Sequence, residues 1–178
     1  MDSRKKIRKF INPSFAPAII WMFVIGFGTI IGLILLLGVA LPTMKRAKKC
    51  VAKLEAAGLL DKAAAEMTGP GAKYYMKGKL ILTEHFIFCK RAGLVLTYDE
   101  VLWTYKYKLT QRVLFIPVKV TESLFLATKD MKPSGVASMG RDKMEEIKNA
   151  IIEIYNHNPK CLIGYSDEKL AAYKQMRN

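Results

Sequence analysis

Few residues in this chain have the types and spacing needed for bond-making chemistry. Its two histidines, His85 and His157, would be the proton carriers near neutral pH. They lie far apart in sequence, with no cysteine or carboxylate at metal-ligand spacing around them. A zinc site is therefore not expected, and each reads as a satisfied or exposed histidine. Gly135-x-x-x-x-Gly140 is followed by Arg141-Asp142 rather than Lys-Ser or Lys-Thr, so it is no phosphate loop. Gly26-x-Gly28 falls in an apolar stretch and cannot form a dinucleotide turn. Neither G-x-S-x-G nor H-E-x-x-H occurs. The acid pairs Asp99-Glu100 and Glu145-Glu146 are sequence neighbours that read as solvated. The expectation is a protein that is not an enzyme, with no catalytic residue, metal or cofactor.

The cations suggest a different chemistry, that of holding an anionic surface. The 178 residues carry 29 Lys and Arg against 15 Asp and Glu, a formal net charge of +14. Arg4, Lys5, Lys6, Arg8 and Lys9 crowd the N-terminus, and Lys45, Arg46, Lys48, Lys49 and Lys53 form a second cluster. Between the clusters, Ile19 to Leu41 is a run of 23 uncharged residues, fifteen of them Leu, Ile, Val or Phe. As a helix this run is roughly 35 Å long, enough to cross a hydrocarbon core of about 30 Å. Its insertion is favoured by roughly 5–9 kcal/mol before glycines and flanks are counted. It reads as a single transmembrane helix, with both clusters on anionic lipid headgroups at about 1 kcal/mol per cation. Nucleic acid is not an expected partner, because no base-reading motif accompanies the charge.

Within that segment Gly28-x-x-x-Gly32 is a small-residue pair that would let a second helix approach, giving a homodimer or a contact with another membrane protein. Five cations flank each end of the span, so charge sets no orientation. Three separated cysteines, Cys50, Cys89 and Cys161, imply no pairing and point to the cytoplasmic side for the C-terminal domain.

Periodicity then supplies the elements. From Thr43 to Met67, Met44, Ala47, Val51 and Leu54 recur at helical spacing, with an interruption at Gly58 and a second piece from Leu59. This juxtamembrane helix reads either as a solvated connector or as an interfacial helix lying on lipid. Thr68-Gly69-Pro70-Gly71 reads as the boundary of a folded domain. Beyond it the pattern alternates: strands are predicted near Leu80 to Cys89 with a turn at Thr83-Glu84-His85, then at 94–97, 101–108, 113–121, 124–128 and 135–139. Leu80, Leu82, Phe86 and Phe88 are expected on one face, with Ile81, Ile87 and Cys89 on the other. Trp103, Tyr105 and Tyr107 share a face that reads as core, with a binding face as the alternative. Met144, Ile147, Ile151 and Ile154 make the stripe of a helix stopped by His157-Asn158-Pro159, and Ser166 caps a last helix to about Met176.

The stretches L-I-L-T-E-H-F-I-F, G-L-V-L-T-Y-D-E-V-L-W-T-Y, L-F-L-A-T-K-D and I-I-E-I-Y-N-H-N-P-K-C-L-I-G-Y, between Lys73 and Tyr165, resemble bacterial membrane-anchored PH-like proteins of unknown function. The resemblance implies an α+β chain: one N-terminal transmembrane helix, an amphipathic juxtamembrane helix, then a PH-like antiparallel β-barrel or sandwich of about seven strands closed by a C-terminal amphipathic helix. Phosphoinositide binding does not follow from it, because Lys77-Gly78-Lys79 is not followed by a basic pair with a terminal Arg and the closing helix lacks Trp. The divisions expected are a tail (1–18), span (19–42), juxtamembrane region (43–68), PH-like domain (73–165) and final helix (166–178). The functional expectation is a single-pass membrane protein presenting a non-catalytic binding or scaffold domain. An accessory subunit of a larger membrane complex and a membrane-tethered enzyme are the alternatives.

Overall fold

The structure, a computed structural model, describes the backbone of residues 43–113, 116–140 and 144–178, and the side chains of those residues except 111–113, 116–119, 140 and 144. The expected span and the N-terminal cluster lie outside the described residues. Among the described residues no helix is long and apolar enough to cross a membrane.

Helix α1 covers residues 43–56 and α2 covers Leu60–Glu66. They are joined at Gly58, whose φ of +67° places it in the left-handed region. Leu59 N–H reaches back to the Leu54 carbonyl at 2.8 Å and Gly58 N–H to Glu55 at 3.0 Å, a paired C-terminal cap that glycine permits. The apolar stripe of α1, Ala47, Val51 and Leu54, is buried with Ala63, Ala64 and Met67 against Ile81, Phe86, Phe88 and Val95. The apolar face is therefore covered by protein. Neither a free connector nor a helix lying with that face in lipid describes it.

Among the described residues eight strands make two four-stranded sheets. Sheet one runs β1 (Lys73–Tyr75), β2 (Leu80–Leu82), β3 (Phe86–Cys89), β4 (Leu94–Thr97), all antiparallel. Sheet two has the order β7-β6-β5-β8, from β5 (Val101–Val113), β6 (Ile116–Thr128), β7 (Ser134–Gly140) and the two-residue β8 (Leu162–Ile163), which lies parallel to β5. The α+β class is as expected, but the described residues form no closed barrel and the strands number eight rather than about seven. The sandwich is filled by Leu80, Leu82, Ile87, Leu94 and Leu96 from one sheet and Leu124, Leu126 and Val136 from the other. Helix α3 (Met144–His157) adds Ile147, Ala150 and Ile154 to that core.

Two strand expectations are corrected. Leu82 pairs with Ile87 and Ile81 with Phe88, and residues opposite one another in an antiparallel pair share a face. Phe86 and Phe88 therefore lie with Ile81 under the helices, while Leu80, Leu82, Ile87 and Cys89 face the sandwich. Sheet one is covered on both sides, which removes the polar alternation that would have fixed the phase across the turn. The second correction concerns β6, which is continuous through Glu122-Ser123, where the sequence suggested a break.

Glu122 explains that appearance of a break. Its side chain is buried in register with Lys108, 1 % exposed, and neither carboxylate oxygen has a hydrogen bond. Its ion-pair partner among the described residues is the Lys106 ammonium, 3.6 Å away and 39 % exposed. A buried carboxylate held this loosely costs more in lost hydration than the pair returns, and Lys106 can be hydrated by itself. Glu122→Met is expected to raise stability by about 1–3 kcal/mol, read as a higher urea midpoint with an unchanged slope. A lower midpoint would show that the carboxylate is compensated.

Helix α4 (Asp167–Arg177) is capped by Ser166, whose hydroxyl accepts from Lys169 N–H at 3.2 Å. It covers the outer face of sheet two, where Tyr173 is buried with Trp103, Tyr105 and Ala127. The aromatic stripe is core at Trp103 and Tyr105, while Tyr107 is 48 % exposed.

Candidate functional site

Sheet one ends at β4, and the outer edge of that strand is where a site forms. An open strand edge invites pairing with another chain. Here α1 lies along it: Cys50 sits beside Val95, whose N–H acts to lower the thiol's pKa, and Thr97 N–H donates to a Glu100 carboxylate oxygen at 2.9 Å. Glu100 also pairs with Lys53 of α1, which raises the Lys53 pKa. The edge is thus closed to an added strand, and a groove of about 460 Å³ remains between α1, β4 and the β6–β7 loop. Its volume is within the usual range for small-ligand sites, about 300–1,000 Å³.

The groove is apolar below and cationic above. Leu94, Leu96, Met131 and Pro133 form the floor, and Arg46, Lys49, Lys53 and Lys132 stand around it with Glu100 and Asp130. Lys53 and Glu100 neutralise one another. Among the described residues Arg46, Lys49 and Lys132 have no ion-pair partner, so the rim favours an anion. Catalysis by Cys50 is disfavoured: burial raises its pKa, outweighing the Val95 N–H and the nearby lysines, and it is the thiolate that reacts. Burial likewise pushes Cys161 up to about 12 and Cys89 higher still.

Of the five cations expected on α1, three border the groove; Lys45 and Lys48 are exposed elsewhere on the helix. Positions 46, 49, 50 and 53 form one helical stripe, a signal present in the sequence. The contribution of Lys132 and Asp130 was not legible, because it depends on how the β6–β7 loop folds back. Arg4, Lys5, Lys6, Arg8 and Lys9, and the expected helix-pairing Gly28 and Gly32, lie outside the described residues.

A smaller cleft of about 270 Å³ brings together what the sequence held apart, for His85 and His157 both line it, with Lys62, Glu84 and Asp99. His85 Nδ1 is 2.8 Å from a Glu66 carboxylate oxygen, and His157 stacks on Tyr98 at 4.2 Å with Nε2 3.5 Å from Glu153. The one aliphatic hydroxyl in the cleft, on Thr97, is held by Glu100. No cluster of three metal-ligating side chains is present among the described residues. The cleft is a junction tying α2, the β2–β3 turn and the end of α3.

Glu66 is its anchor. Burial raises the Glu66 pKa, but hydrogen bonds from the Thr83 hydroxyl, the His85 N–H and the His85 ring together outweigh that and lower it. A depressed carboxylate contributes stability that is present above its unfolded pKa, about 4.3, and is lost as pH falls through the lower folded value. Glu66→Gln is therefore expected to be less stable than the parent at pH 7, with the gap closing below about pH 4. Parallel melting curves across that range check it, and a gap independent of pH would overturn it.

No curated protein and no solved structure matches the chain. The matching span in the family comparison starts just before β2 and ends inside α4, so it takes in β2 to β8 and α3 and leaves α1, α2 and β1 outside. The family model that matches residues 78–173 is described as a domain of unknown function (DUF6709), and the chain belongs to that family.

Proposed function

We propose that the chain is a single-pass membrane protein whose C-terminal body is a PH-like, non-catalytic binding module held against the membrane, with the α1 groove taking the anionic group of a lipid headgroup. The observation carrying this is the position of the groove: three of its four cations, Arg46, Lys49 and Lys53, stand on a helix whose first described residue, Thr43, is two positions after the apolar run Ile19 to Leu41 in the sequence, and which is packed into the body. Four antiparallel strands, then β5, β6 and β7 of a second sheet that the two-residue β8 joins after the helix, and a helix that enters the core follow the element order of PH folds and support that part of the reading. Anchoring keeps the groove at a high effective lipid concentration, so weak contacts suffice.

The full-length protein should resist alkaline carbonate extraction and copurify with phosphatidylglycerol in preference to phosphatidylcholine. Converting Arg46, Lys49 and Lys132 to Glu should cut that preference by a factor on the order of a hundred, at about 1 kcal/mol per cation. Release by carbonate sinks the anchor; equal retention of both lipids by the parent protein sinks the lipid reading.

A further inference from the structure

We infer that α4 braces the loop wall of the groove, with Tyr173 and Arg177 as the residues that position Lys132 for the anion; the inference rests on the headgroup reading above for the identity of that anion. Two walls of the groove are fixed by packing. β4 is held in its ladder with β3, and α1 is seated through its buried stripe. A Cβ on Gly93 would sit 2.7 Å from the Thr43 carbonyl oxygen, so the start of α1 also lies on the β3–β4 turn. The third wall is the loop between Thr128 and Ser134, which contributes Asp130, Met131, Lys132 and Pro133 and contains no helix or strand. Ordering such a segment costs backbone entropy, so a defined position for it needs bonds from another element.

α4 supplies them. The Tyr173 hydroxyl lies 3.1 Å from both the Thr128 and the Met131 carbonyl oxygens, which share its one proton, and Arg177 donates Nε–H to the Lys129 carbonyl at 3.0 Å. A local turn completes the arrangement: Met131 N–H donates to the Thr128 hydroxyl at 3.1 Å, and Thr128 N–H donates to the Met131 carbonyl at 3.0 Å. The tyrosine cannot drift, because its ring is buried with Trp103, Tyr105 and Ala127, 5.6 Å from the indole. The loop therefore takes its position from the packed outer face of sheet two.

Among the described residues no side chain of α4 lines the groove, so the helix acts on a bound anion through the loop. Lys132 follows directly on the braced Met131 and is exposed at the rim. Asp130, on the other side of Met131, adds to Glu100 in holding the Lys53 ammonium charged. The loop thus turns a carboxylate towards α1 and leaves an ammonium for the ligand. Coulomb attraction falls with distance, and one cation near an anionic group is worth about a fivefold change in affinity. The coupling runs both ways: the factor by which the docked helix favours the anion is the factor by which the anion favours docking.

The test titrates full-length protein in detergent with water-soluble dihexanoyl phosphatidylglycerol and, in a parallel arm, with inorganic phosphate. Tyr173→Phe keeps the ring and removes the hydroxyl, and should weaken lipid binding about fivefold. Arg177→Ala, which leaves the Trp103 cluster intact, should weaken it by a smaller factor. The Tyr173→Phe loss should vanish in a Lys132→Ala background and persist in an Arg46→Ala background, a pattern that a general loss of stability does not produce. Unchanged binding by Tyr173→Phe, or an equal loss in both backgrounds, overturns the brace and leaves the headgroup reading standing. A parent that binds phosphate but not the lipid, with the same dependence on Tyr173 and Lys132, supports the brace while refuting the headgroup reading. A parent that binds neither overturns both.

Discussion

Trp103→Ala is expected to lower the unfolding free energy of residues 43–178 by about 3–5 kcal/mol, the usual cost of deleting a fully buried large aromatic. The indole is inaccessible to solvent, donates Nε1–H to the Gly164 carbonyl at 2.8 Å, and lies within 6 Å of the rings of Tyr105, Tyr165 and Tyr173. It joins three pieces of chain that share no ladder of any length: β5, the turn after β8 and α4. Removing it undercuts α4, whose Tyr173 hydroxyl donates to the Thr128 and Met131 carbonyls at 3.1 Å each. Trp103→Phe keeps most of the packing and loses the hydrogen bond, so it should cost about 1–3 kcal/mol. Urea titrations followed by far-UV circular dichroism give both numbers. A loss under 1 kcal/mol for the alanine variant would mean that α4 does not rest on this ring.

The second large effect is expected at Asn158. Its side chain is buried where α3 ends, and Nδ2 donates to the Tyr98 carbonyl at 2.8 Å and the Val101 carbonyl at 3.0 Å, while Oδ1 accepts from Lys160 N–H at 3.2 Å. Tyr98 and Val101 sit at the corner where the chain leaves sheet one for sheet two, so one amide ties the closing helix to the joint of the sandwich. Asn158→Ala orphans two buried carbonyls and should cost about 2–4 kcal/mol. Asn158→Asp should be worse than alanine at pH 7, because it sets a carboxylate against those two carbonyls, and should recover towards acid pH as the group gains a proton. An aspartate variant as stable as the parent at neutral pH would refute the assignment of the amide nitrogen.

Local patterns were legible where one face of an element is wet. α3 occupies Met144–His157 because Ile147, Ala150 and Ile154 face the core while Glu145 and Lys148 face water, and Ser166 caps α4 as its position before Asp167 and Glu168 implied. Sheet one was harder to read because helices cover its second face, leaving Ile81, Phe86 and Phe88 as buried as Leu80 and Leu82. β8 is two residues long and owes its place to Trp103 and Thr104, partners far away in sequence. The groove and the two-histidine cleft were illegible for a related reason: each is assembled from chain segments that meet only when the sandwich closes. Single residue types such as Lys132 or His157 carry no mark of that meeting.

The contact of Gly93 with Thr43 has a mechanical consequence. Gly93 has φ +64° and no room for even a methyl group, and α1 beyond it is seated on sheet one through Ala47, Val51 and Leu54. No slack exists there to absorb a twist. A torque applied at Thr43 is passed through this contact and the buried stripe of α1 into sheet one, so the body turns with its first helix.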